Sequence, residues 1–263
     1  MSIREGIDKL IEAGSGKIAV GFGGNPKDLS AVRGGPAFEL IFNIHNMLIK
    51  KRMRQNFDLT FFAPMAEPGA KMGKSSLAML NKMFDKYTIE KQFGKKIKAF
   101  ESKSVVFEDE SKLNADLILF IPASSGHSVL QTSDLPLTDA GFIKIDNNCR
   151  VQGIRDVYAI GDIAALEGPE WVAKQGHIAE LMGRNAAYNI IETEKGTNRK
   201  KGYQDSLNIL CVMDTGNGAA FVFRNNTKSF IIPMPVVGHW MKKGWGSYSK
   251  LTKVGKFPRL PGM

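Results

Sequence analysis

A short apolar run that stops on Gly-Asp constrains this chain more than any other feature. Val157-Tyr158-Ala159-Ile160 has the composition of a fully buried, parallel strand. Gly161-Asp162 ends it. Glycine lets a backbone come close to a ligand, and a carboxylate at the carboxyl end of a strand can accept hydrogen bonds from sugar hydroxyls. A loop later, Lys174-Gln175-Gly176 lies in a helix expected over roughly 171–193. The amino-terminal N–H groups of such a helix can aim at an electron-rich ring. Taken alone, the hexapeptide also reads as a buried strand with an ordinary Gly-Asp turn.

The front of the chain repeats the alternation of apolar strand and helix. Ser2-x-x-Glu5 is a capping box for a helix with Ile3, Ile7, Leu10 and Ile11 on one face. Lys17 to Val20 is a short buried strand that runs into Gly21-Phe22-Gly23-Gly24. Strand, Gly-rich turn and the helix expected over 36–54 form the opening of a dinucleotide-binding unit. The glycine pattern is imperfect, however. No third glycine stands at the usual spacing, and the second strand, Asp58 to Ala63, is followed by Pro64-Met65 before any acidic residue, Glu67. Gly21, Gly23 and Gly24 therefore read equally as an NAD(P) site or as a fold kept without its cofactor.

Beyond a helix over 75–87, a meander is expected over 96–101, 104–108 and 115–121, with Leu117 to Ile121 as a central strand. Phe142 to Asp146 alternates as a further strand. The fold class is α/β: a Rossmann-like NAD(P)-type domain over 1–115 and a second unit over 116–196. After a polar linker, a small α+β region over 203–263 carries three antiparallel strands and a basic helix.

Composition narrows the function classes. With 43% hydrophobic and 24% charged residues the 263-residue chain has ample material for a core. It has no apolar run of ~18 residues and no apolar signal core near Met1, so the reading is cytoplasmic. Two cysteines fit a reducing compartment. His45, His127, His177 and His239 have no ligand spacing, so no metal site is expected. The net charge of +10 is concentrated at the end: after Asp214 there is no acidic residue, while six Lys and two Arg follow.

Several motifs fall in one order: the Gly-rich turn with Gly35-Pro36-Ala37-Phe38-Glu39, Leu135-x-x-Thr138-Asp139-x-Gly141-Phe142-Ile143, Ile160-Gly161-Asp162, Lys174-x-Gly176, and Cys211-x-Met213-Asp214-x-Gly216-x-Gly218. Together they resemble sulfide:quinone oxidoreductases and their relatives, the flavocytochrome c sulfide dehydrogenases and type II NADH dehydrogenases. The resemblance implies FAD as cofactor and makes 116–196 the remainder of an FAD-binding domain. Asp162 would lie at its ribityl–phosphate region, and Lys174, Gln175 and Gly176 would open the helix at the ring. It implies quinone as acceptor, sulfide or a related donor, and Cys211 as redox thiol. Two departures stand out. Roughly 100–150 residues of a first dinucleotide unit look absent from the front, so poor FAD affinity is expected. The second redox cysteine is also missing: Arg33-Gly34 stands in its place, and Cys149 reads as an incidental surface thiol.

The tail reads as a basic amphipathic helix over 239–254. Trp240, Met241, Trp245, Tyr248 and Leu251 share one face, and Lys242, Lys243, Lys250 and Lys253 the other. Such a segment suits the inner face of an anionic membrane, and Lys256 to Met263 extends it as a non-helical end. Phe221, Trp240 and Trp245 would neighbour the quinone. A homo-oligomer is compatible with this reading, and no nucleic-acid motif is present. The enzyme alternative is an NAD(P)H:quinone reductase using Gly21 to Gly24. The non-enzyme alternative is a flavin-free membrane-docking fragment.

Overall fold

The first helix forms where the sequence caps it. Ser2 Oγ accepts from the Glu5 N–H while the Glu5 carboxylate accepts from the Ser2 N–H, and α1 (Ile3–Ala13) closes on a left-handed Gly14. The structure is a computed structural model that describes residues 2–235 and 237–258. From α1 the chain enters β1 (Gly16–Phe22), α2 (Gly35–Lys50), β2 (Phe57–Ala63), α3 (Lys74–Lys86) and β3 (Ile89–Phe93). Next come the short strands β4 (Ile97–Glu101), β5 (Ser104–Phe107) and β6 (Lys112–Asn114), and then β7 (Leu117–Ile121).

The main sheet is parallel, with strand order β3-β2-β1-β7. The Leu117–Ile121 run therefore lies at an end of the sheet rather than its centre. It pairs along β1, a strand of the first unit, although it lies beyond the expected bound at 115. Its apolarity has a different cause. Val105 and Phe107 of the small β4-β5-β6 sheet pack with Phe120 and Ile118, covering this end of the main sheet. The third strand of the meander is Lys112–Asn114.

One side of the main sheet carries an aromatic core. Phe38 stacks on Phe61 at 4.9 Å, and Phe84 lies 5.2 Å from Phe61 and 5.5 Å from Phe42. At the rim of this core His45 stacks on Tyr87 at 4.2 Å and accepts from Arg54 Nε through Nδ1. Arg54 also donates to the carbonyls of Phe57, Tyr87 and Thr88. Burial first, and the Arg54 charge second, push the His45 imidazole down to about 4.

A histidine disfavoured as a cation in the folded chain takes up its proton preferentially when unfolded. Stability should therefore fall as pH drops from about 6.5 to about 4, by on the order of 2 kcal/mol. Urea midpoints measured across this window should show the loss in the wild type and a flatter profile in His45→Gln.

The second unit has little regular sheet. Phe142 to Asp146 and Val157 to Ile160 are extended but held by isolated bridges, Leu137 with Ile143, Ile145 with Val151 and Arg150 with Tyr158. The expected buried parallel strand at 157–160 is thus a single-bridge segment. Only Ala159 is buried, and Val157 and Ile160 are 37% and 41% exposed because no strand pairs along their other edge among the described residues. Cys149 is not a surface thiol. It sits in a left-handed turn (φ 65°), wholly buried in the second core, with its thiol pushed up to about 12 by burial and by Asp146.

α4 (Gly176–Glu194) starts five residues later than expected. The last part holds β8 (Ile209–Asp214), β9 (Ala219–Arg224) and β10 (Ser229–Met234), an antiparallel sheet, and α5 (Val237–Lys253). The expected non-helical end beyond Pro258 lies outside the described residues, as does the side chain of His239.

Candidate cofactor site

The loop between β1 and α2 is long enough to reach the second unit, and it does so. Asp28 caps a 3-10 turn at Leu29–Ala31 by accepting from the Ser30 N–H at 2.8 Å and the Ser30 hydroxyl at 2.6 Å. The turn then presents the Ser30 carbonyl to the N–H of Lys174 at 3.0 Å, just before α4. Two residues on from the turn, Arg33 pairs with Asp162 and donates from Nε to Ser124 Oγ at 3.1 Å. The two features that the sequence placed far apart, the start of α2 and the Gly161-Asp162 turn, therefore meet.

Around this meeting point the predicted residues separate into two sets. Gly161 (φ 68°) opens a 3-10 turn, and an added Cβ would come 3.2 Å from Ala179 of α4. Asp162 is half exposed on that turn, held by Arg33. Lys174 is buried, donates to the Ala164 carbonyl and lies 3.9 Å from the Phe142 ring centroid. Burial pushes its ammonium down to about 8, against the pull of Asp28 and Asp162.

Gln175 N-caps α4 with no side-chain cap bond, and a Cβ on Gly176 would meet nothing within 4 Å. The first N–H groups of a 19-residue helix thus carry no side-chain cap at an open approach. This geometry fits an electron-rich ring at the α4 start and hydroxyls at Asp162.

Gly21, Gly23 and Gly24 do not join this set. Gly21 lies inside β1, where a Cβ would come within 2.5 Å of the Phe62 carbonyl; on Gly23 it would stand 3.0 Å from the Phe120 ring, and on Gly24 3.3 Å from Pro64. These glycines are used for packing strand on strand. α2 begins at Gly35, and a Cβ on its N-cap, Gly34, would stand 2.9 Å from the Phe22 ring. With no acidic residue ending β2, these residues do not fit the diphosphate–ribose of a nicotinamide dinucleotide.

Cys211 approaches from the third region. Its strand is tied to the start of α4: the Leu210 N–H donates to Gln175 Oε1 at 3.4 Å, and His177 Nε2 lies 2.8 Å from Asn208 Oδ1. Cys211 packs against both cores, and burial, with Glu39 adding, pushes its thiol up to about 11. Glu39 accepts from the Asp214 N–H at 3.1 Å and from Lys242 Nζ at 2.6 Å, so α2, β8 and α5 converge on one carboxylate. Sequence reading quoted Glu39 only within a motif and missed this role. Nothing local marks a residue whose partners lie 175 and 203 positions away.

Known proteins resemble this chain in sequence and in fold. Residues 14–183 match the family described as pyridine nucleotide-disulphide oxidoreductase. A sulfide-quinone reductase of Aquifex aeolicus (strain VF5) is 26% identical over 235 residues, covering 81% of this chain and 54% of the relative. The chain therefore spans about half the length of that curated relative.

Among solved structures, the sulfide:quinone oxidoreductase from the hyperthermophilic bacterium Aquifex aeolicus superposes with a TM-score of 0.78 at 19% identity, over 93% of this chain and 60% of that one. An NAD-dependent persulfide reductase from A. fulgidus gives 0.54 at 16% identity, over 84% and 38%. The family match covers more than half of the chain and contains the Gly-rich turn, Gly161-Asp162 and the start of α4. The chain belongs to the pyridine nucleotide-disulphide oxidoreductase family.

Proposed function

We propose that this chain carries the ring-facing and acceptor-facing part of an FAD-dependent oxidoreductase of the sulfide:quinone type, moving electrons from sulfide or a related donor to quinone. The observation that carries this reading is the convergence of an uncapped α4 start, Asp162 and the Cys211 strand on one side of the molecule. Bound FAD would supply the two-electron chemistry. Asp162 would accept from ribityl hydroxyls once released from Arg33, and the N–H groups at Gly176 together with buried Lys174 would provide positive potential at the ring.

Cys211 is the thiol proposed to meet the donor. It would work without a second thiol, because Arg33 stands at the expected position of its partner and Cys149 is wholly buried. Against the NAD(P)H alternative stands the missing acidic residue at the end of β2.

Quinone is a membrane solute, and α5 supports a membrane-side position. Trp240 and Trp245 are 67% and 48% exposed rather than packed on the core. Lys242 and Lys253 pair with Glu39 and Glu180. No described helix is long and apolar enough to cross a membrane.

Flavin absorbance during titration with FAD tests the reading. Saturable binding weaker than about 1 μM is expected, roughly 8 kcal/mol, and Asp162→Ala should weaken it about tenfold. In the bound protein Cys211→Ser should stop sulfide-driven quinone reduction. No perturbation of the flavin spectrum at millimolar FAD would defeat the proposal for this chain.

A further inference from the structure

Lys71 joins segments that lie far apart in the sequence. It sits in a 3-10 turn, Ala70–Met72, between Gly69 and Gly73, both at φ 98°. Glycine adopts that left-handed backbone without strain. The turn is wedged in place: a Cβ on Gly69 would come 2.7 Å from the Leu80 side chain of α3, and one on Gly73 2.6 Å from Ser229 Oγ of β10. From this fixed base the Lys71 ammonium donates to the Leu29 carbonyl at 2.5 Å and to the Val172 carbonyl at 3.2 Å, 42 and 101 positions away. Leu29 belongs to the loop that carries Asp28 and Arg33, and Val172 lies just before Lys174. The bond from the Lys174 N–H to the Ser30 carbonyl joins the same two segments.

Arg224 of β9 grips this turn in its own way. Its Nη1 donates to the Ala70 carbonyl at 3.0 Å and to the Lys71 carbonyl at 2.9 Å, and its guanidinium lies 5.6 Å from the centroid of the buried Trp171 ring. On the same strand Val222 stands opposite Cys211. A continuous path of contacts thus runs from the Cys211 sheet through Arg224 and Lys71 to the entry of α4. Burial lowers the pKa of Lys71, with Asp28 pulling the other way. An ammonium taken partly out of water onto two neutral carbonyls is a costly fastener where an apolar side chain would also pack. What it adds is direction, since both bonds fix where the two segments stand relative to the turn.

We propose that Lys71 is a positioning residue for the flavin: steadied by Arg224, it sets the spacing between the Leu29–Arg33 loop and the entry to α4, and with it the aim of the α4 N–H groups. This rests on the flavin reading above and adds to it a residue outside the set from Asp162 to Gly176.

The test is FAD titration of the full chain, followed by visible absorbance, for the wild type, Lys71→Met, Lys71→Arg and Arg224→Gln. Lys71→Met, shown to be folded by far-UV circular dichroism, should bind FAD about tenfold more weakly and shift the visible band of the bound flavin. Lys71→Arg keeps the charge and the donors and should restore both. Arg224→Gln should weaken binding about threefold by itself and add nothing in a Lys71→Met background, because it acts through Lys71. In the FAD-free protein the Lys174 amide should exchange its hydrogen about tenfold faster in Lys71→Met, with the β1–β2 rungs unchanged. Should Lys71→Met not fold, the affinity and band of Arg224→Gln decide the matter in the same sense.

Equal affinity and an unchanged band in the wild type and Lys71→Met, with the Lys174 amide still protected, would overturn the positioning role and leave the flavin reading standing. A wild type that leaves the flavin spectrum unperturbed removes both. Weaker binding that Lys71→Arg does not restore, with exchange faster throughout the chain, would make Lys71 a general support of the fold and also overturn the proposal.

Discussion

Gly126→Ala should leave the chain unable to reach its folded state at 37 °C. A Cβ at residue 126 would stand 1.6 Å from the Gly141 carbonyl oxygen, 2.0 Å from its carbon and 2.7 Å from its Cα. All three are backbone atoms, so no rotamer change relieves the clash. The approach is fixed from both sides. The Gly126 N–H donates to the Ala140 carbonyl at 2.8 Å, and Gly141, at φ 82°, donates to Thr138 at 2.8 Å. This is where the end of β7 is fastened to the second unit. Separating the two strands of chain would break that junction at a cost of at least about 3 kcal/mol. Urea denaturation, or soluble yield where no transition is seen, checks the outcome. Gly244→Ala is the matched control: it meets nothing within 4 Å on exposed α5 and should be neutral or stabilising by up to about 1 kcal/mol.

Lys174→Met should make the ligand-free protein more stable at neutral pH. Lys174 is 7% exposed, its ammonium donates to the Ala164 carbonyl and lies over the Phe142 ring, and the carboxylates of Asp28 and Asp162 act on it only over longer range. Burial lowers its pKa to about 8 in the folded chain from 10.5. Below pH 8 both states hold the proton, and the folded one carries the full desolvation cost. Between about 8 and 10.5 the unfolded chain holds more protons, so stability rises with pH and the cost fades.

Replacing the lysine by methionine, similar in length and apolar, should gain on the order of 2 kcal/mol at pH 7 and almost nothing at pH 10.5. Denaturation midpoints at the two pH values decide it. A gain independent of pH would show that packing, not charge, is responsible. A buried cation that costs the apo fold this much is a group whose return comes from something bound.

Much of the fold was legible because its signals are local. The Ser2–Glu5 box, the apolar runs at Ile18 and Leu59, and the three C-terminal strands each state their own conformation within a few residues. Errors arose where an apolar run had two possible causes. Leu117 to Ile121 is apolar because a second small sheet covers it, not because it is central. Val157 to Ile160 is apolar without being buried or regularly paired. The candidate site was half legible. The Gly161-Asp162 turn packs against α4, which Lys174, Gln175 and Gly176 open, but the Gly-rich turn does not join them. Arg33 was noticed only as an absent cysteine. Its pairing with Asp162, 129 positions away, depends on a loop path that no periodicity encodes.

The pairing of β1 with β7 also sets an order of events during synthesis. The Lys17 N–H donates to the Asp116 carboxylate across 99 residues, and the rungs from Ile18–Leu117 to Phe22–Ile121 follow the same separation. At ~5–20 residues per second, a ribosome needs on the order of ten seconds to make the missing neighbour. Once β2 has been made, β1 has it on one side and an open hydrogen-bonding edge on the other, along which Lys17 and Gly23 later bond to Asp116 and Ile121. Nascent chains of this protein therefore pass through a stage in which a chaperone, or another nascent chain, competes with β7 for the same edge.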